Sequence, residues 1–80
     1  MQFDHQGRHY HMIRASDLNR EGMSLELHFG SRVVAEVFYS DVTKEFTISV
    51  FEQGLPLAVI ELLISSARVG LLPAERVHGL

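Results

Sequence analysis

Three of the five histidines in this chain, His5, His9 and His11, fall within the short stretch FDHQGRHYHMIR. On a β-strand His9 and His11 would share one side, with their side chains rooted roughly 6–7 Å apart. Two imidazoles at that spacing can hold one Zn²⁺ at about 2.0–2.1 Å from each ring nitrogen. A tight turn at Gln6–Gly7 would bring His5 opposite Arg8 or His9 as a third ligand. Asp4 would then serve as a fourth ligand, or as the acceptor that orients one of the rings. His28, on the outer side of its own strand, reaches the same region if the two strands are neighbours. Against this stands Arg8, whose charge opposes a bound cation next to His9. The chain also has no H-E-x-x-H on a helix, no paired C-x-x-C and no EF-hand loop. A metal centre at His5, His9 and His11 is therefore the alternative reading of this protein.

Other reaction chemistry finds less support. Ser16, Ser24, Ser31 and Ser40 lack a G-x-S-x-G context. Glu26 and Glu36 can meet on an outer sheet face as a carboxylate pair, but nothing nearby would raise a pKa. The six glycines are isolated along the chain, so none forms a phosphate-cradling loop. Neither an enzyme nor a cofactor is expected.

The elements that must position these residues follow from periodicity. GMSLELHF sets Met23, Leu25, Leu27 and Phe29 on one side, against Ser24, Glu26 and His28. RVVAEVFY opposes Val33, Ala35, Val37 and Tyr39 to Val34, Glu36 and Phe38. EFTISVF opposes Phe46, Ile48 and Val50 to Thr47, Ser49 and Phe51. A four-residue DVTK turn, with Asp41 suited to its first position, pairs Tyr39 with Phe46, Val37 with Ile48 and Ala35 with Val50. A three-residue loop, Gly30 to Arg32, pairs Phe29 with Val33 and Leu25 with Val37. A two-residue loop would put Leu25 opposite Glu36, and a one-residue slip flips a whole face.

After EQG the period changes. Pro56 suits a first helical turn, and Ile60, Leu63, Ile64, Ala67 and Leu71 form one stripe. Leu57, Val59 and Leu62 lie outside that stripe, while Glu61, Ser65 and Arg68 share the far side. Gly70 and Pro73 end the helix, and a short turn in PAERVH follows. Upstream, the histidine stretch reads as a hairpin at Gln6–Gly7 or as one strand, and ASDLNREG as a polar connection. The expected fold is a two-layer α+β domain spanning residues 1–80. It is an antiparallel meander of three main strands, with an extra N-terminal strand or hairpin, packed by one C-terminal helix.

Composition narrows the function. Hydrophobic residues make up 46% of the chain and charged ones 21%, which suits a globular domain rather than a disordered one. Without cysteine, no disulfide supports the core. The formal net charge of −3, with no two basic residues adjacent, predicts no nucleic-acid binding. LPLAVIELLI is too short for a membrane span, and no basic region followed by an apolar run opens the chain. A soluble, cytoplasmic protein is expected. The outward positions Val34, Phe38 and Phe51 are apolar, and they suggest a strip covered by a second copy, by another protein or by the N-terminal segment. The leading expectation is thus a non-enzymatic interaction module, a homodimer or a binder of another protein, acting through Val34, Phe38 and Phe51.

Overall fold

The computed structural model describes residues 1–71, so the turn expected in PAERVH lies outside the described residues. Five strands form one antiparallel sheet in chain order: β1 Gln2–His5, β2 Arg8–Asp17, β3 Gly22–Phe29, β4 Arg32–Ser40 and β5 Phe46–Val50. One helix, α1 Leu57–Gly70, packs across β3 and β4 on one face. The fold is α+β, with two strands more than the three main ones expected.

The N-terminal hairpin forms because Gln6 and Gly7 both adopt positive φ, 49° and 80°. That pair of angles gives the turn the twist that strand partners need. The segment ASDLNREG corrects the expectation of a connection, since β2 runs on through Asp17 and only Leu18 to Glu21 turn. Asp17 Oδ1 accepts from the Arg20 N–H inside that turn. The apolar residues Tyr10, Met12 and Ile13 upstream carry the ladder through Ala15 and Ser16 regardless of local polarity.

The β3–β4 connection resolves the two loop lengths differently from the expectation. The turn is the two-residue Gly30–Ser31, with Gly30 at φ 62°, and it pairs Phe29 with Arg32. A β-bulge then shifts the register between Leu27 and His28: His28 faces Val33, whereas Leu27 faces Ala35. Val34 is the extra residue. Beyond the bulge Leu25 pairs with Val37, so the apolar faces align by the bulge instead of by a longer loop.

Between β4 and β5 the expected pairs Tyr39–Phe46, Val37–Ile48 and Ala35–Val50 are all formed. Ser40, not Asp41, organises the turn, its Oγ accepting from the N–H groups of Val42 and Thr43. The core lies between sheet and helix and comprises Tyr10, Met12, Leu25, Leu27, Val34, Ala35, Val37 and Tyr39 under Leu55, Val59, Leu63, Ala67 and Leu71. Val59 therefore belongs to the buried stripe, and Ile60 and Ile64 flank it half-buried. The helix is rotated towards Val59 by less than the ~100° that separates neighbouring residues.

Candidate interaction surface

The histidines divide between the two faces. Directly opposed residues of an antiparallel pair share a face, so Asp4–His9 and Gln2–His11 belong to the outer face and His5–Arg8 to the helix side. His9 sits between two acceptors, with Nδ1 2.6 Å from Asp4 Oδ1 and Nε2 3.0 Å from Gln2 Oε1. His11 stacks on His28 at 4.9 Å between ring centres, and His28 Nε2 lies 2.9 Å from Glu26 Oε1. The trio of His5, His9 and His11 thus does not converge. Among the described residues, no three His, Asp or Glu side chains are placed to hold one ion.

The carboxylate pair expected at Glu26 and Glu36 is formed in register, but each is already paired. His28 approaches Glu26, and the Arg20 guanidinium makes two hydrogen bonds to Glu36 and one to Asp17. Those bonds hold the Arg20 guanidinium firmly in its charged form, the Glu36 bond being the largest cause and Asp17 the next. The Asp17 carboxyl is held below its usual range, mainly by the Arg20 hydrogen bond.

The three residues expected to form an outer apolar strip are separated by the fold. Val34 corrects the expectation outright: the bulge turns it into the core, where it is 1% exposed. Phe38 does face outward, opposite Ser24, yet it is buried. Arg20 covers its ring at 4.2 Å, and the ring edge lies against Gly22. Phe51 is 62% exposed, and its N–H donates to the Val34 carbonyl at 2.9 Å.

Exposed apolar side chains also occur on the other side of the sheet, where β5 meets the helix. Val37, Phe46, Thr47, Ile48, Ile64 and Arg68 line a groove of about 170 Å³. Ile48 and Val50 face the helix side but remain 44% and 46% exposed, and Leu57 on the helix is 69% exposed. A single helix is roughly 10 Å wide, about the width of two strands at ~4.8 Å spacing. Centred on β3 and β4, it cannot reach over β5. That comparison of widths was available from element counts alone.

The loop leading from β5 into the helix is pinned at its base. Glu52 accepts from Arg8 at 2.6 and 3.0 Å and from Arg32 at 2.9 Å. Arg8 also lies 3.7 Å over the Phe29 ring. The hydrogen bonds from Arg8, then its charge and that of Arg32, hold the Glu52 carboxyl below its usual range, and burial opposes them. The Arg8 guanidinium is correspondingly pushed further towards its charged form by Glu52. Leu55, three residues on, is buried in the core. At the far end of the helix, Arg14 donates to the Gly70 carbonyl at 2.9 Å, a cation on the terminal carbonyls as the helix dipole favours.

Among the described residues no helix is long and apolar enough to cross a membrane. Comparison with protein-family models, with curated proteins and with solved structures returns no match to this chain.

Proposed function

We propose that this domain is a non-enzymatic interaction module whose docking surface is the groove between β5 and α1. The observation that carries the reading is the groove lined by Val37, Phe46, Ile48 and Ile64, with Ile48 44% exposed there and Val50, two residues along the same strand face, 46% exposed. Large apolar side chains gathered at one place, beside a sheet edge, mark contact surfaces more often than solvent surfaces. The outer face is more polar, although Ile13 and Phe51 stand exposed on it. Its histidines and carboxylates are paired with one another, and Phe38 is covered by Arg20.

The test is photo-cross-linking in cells, with a photoreactive phenylalanine analogue placed at Ile48, at Val50 or, as the control, at Ile13 on the outer face. Discrete protein adducts from the groove positions and not from Ile13 support the reading. Equal or absent labelling at all three positions overturns it.

A further inference from the structure

The partner of the groove can be read from the backbone of its edge strand. Antiparallel pairs alternate between residues that exchange both hydrogen bonds and residues that exchange none. Phe51 N–H donates to Val34 C=O, and Ser40 N–H donates to Glu45 C=O. These two bonds set the phase: Thr47, Ser49 and Phe51 turn their backbone polar groups inward to β4. Phe46, Ile48 and Val50 therefore aim theirs at the free edge, while their side chains face the helix side.

Sheet edges are ordinarily guarded by Lys, Pro, a bulge or an inward-pointing charge. The stretch Phe46–Phe51 has none of the charged residues and no Pro, and among the described residues the one bulge lies on β3–β4. The opposite edge, β1, carries Asp4 and His5. The two edges are thus chemically unequal, and β5 is the one open to another strand.

We propose that β5 pairs with β5 of a second copy of this chain about a two-fold axis at Ile48. This rests on the groove being the docking surface, and it names the partner. With Ile48 opposite Ile48, Phe46 falls opposite Val50 of the other copy, and Thr47 falls opposite Ser49. All outward N–H and C=O groups of the three edge-facing residues find partners. Apolar side chains meet apolar ones on the helix side and hydroxyls meet hydroxyls on the other. The paired stretch Phe46–Val50 holds no charged residue, so no like charges are directly opposed. Shifting the axis by half a residue sets Thr47 against Val50 and breaks this matching of faces. A strand from an unrelated protein would meet the same edge, but nothing on β5 would select it by charge.

Sedimentation equilibrium and engineered cysteines test the pairing. The wild-type chain is expected to be a dimer. Ile48→Pro removes an N–H that β4 does not use, so it is expected to keep the circular dichroism and cooperative melting of the wild type while remaining a monomer at concentrations where the wild type is dimeric. Because the chain has no cysteine, Ile48→Cys reports self-pairing directly. Across the proposed axis the two Cα atoms stand about 5.5 Å apart, within disulfide range. In Ser49→Cys the two cysteines stand roughly 8 Å apart by strand geometry, out of that range. Rapid oxidation to a covalent dimer in Ile48→Cys but not in Ser49→Cys supports the proposal, even if Ile48→Pro fails to fold. A monomeric wild type overturns it. So does a dimer in which both cysteine variants oxidise alike. A photo-adduct at Val50 whose mass is not twice that of the chain would overturn the second copy while leaving the groove as a docking surface.

Discussion

The Arg20 guanidinium lies 4.2 Å over the Phe38 ring while its nitrogens hold Glu36 and Asp17. One side chain thus bridges two carboxylates and shields an aromatic ring that the sheet itself leaves outward. Arg20→Gln removes the cation from the ring, at a cost of about 0.5–1 kcal/mol for such a contact at a partly exposed site. A thermal midpoint lower by ~2–8 °C is expected in a domain of this size. Arg20→Lys should recover part of the loss, because the charge returns without the planar fork. A melting curve unchanged by Arg20→Gln would show that Phe38 is held by other contacts.

Gly22 predicts a larger effect. A Cβ there would collide with the Tyr39 carbonyl oxygen and stand 2.7 Å from the Phe38 ring. A backbone carbonyl in a ladder cannot step aside, so Gly22→Ala is expected to destabilise by at least the ~1–3 kcal/mol of ordinary overpacking. Gly70→Ala is the contrast, since nothing lies within 4 Å of its added Cβ and its φ is not positive. It is expected to be neutral or stabilising by about 0.5–1 kcal/mol. Chemical denaturation of the two variants side by side checks the order.

Val34 separates a core role from a surface role. Its side chain fills the core, so Val34→Asp places an unpaired carboxylate there and is expected to abolish cooperative folding. Leu63→Ala, at a fully buried position, is expected to cost about 2–5 kcal/mol. A folded Val34→Asp with altered subunit number would return Val34 to the surface.

Acid stability should report Glu52 and Asp17. Both carboxyls are held below their usual range by arginine hydrogen bonds, from Arg8 and Arg20 respectively. A depressed carboxyl stabilises the fold above the unfolded-state pKa, near 4.3 for Glu. That stability is lost as pH falls through this value towards the lower folded-state one. Stability of the wild type is therefore expected to drop between about pH 5 and pH 3 more steeply than that of Glu52→Gln or Asp17→Asn. Urea midpoints measured across that range read the difference. Parallel slopes would mean that the arginine pairs do not survive in solution.

Much of the architecture is legible in the sequence because its causes are local. Alternation in GMSLELHF, RVVAEVFY and EFTISV sets the strand faces, Gln6–Gly7 makes a two-residue turn, and the change of period after Pro56 starts the helix. The β4–β5 register follows from loop length and from the need to align two apolar faces. Distance along the chain sufficed for each of these.

The surface was decided elsewhere. A one-residue bulge put Val34 into the core, and alternation has no means of announcing an extra residue. Phe38 became covered because Arg20, eighteen residues earlier, folds back over it. His5 parted from His9 and His11 because the hairpin pairs it with Arg8 on the opposite face. Ile48 and Val50 stayed exposed because one helix spans two strands of a five-stranded sheet. Residue types and spacing determine which face a side chain takes within its own strand, except where a bulge inserts a residue, as at Val34. What then lies over that face depends on widths, bulges and returning side chains, and only the assembled fold supplies these.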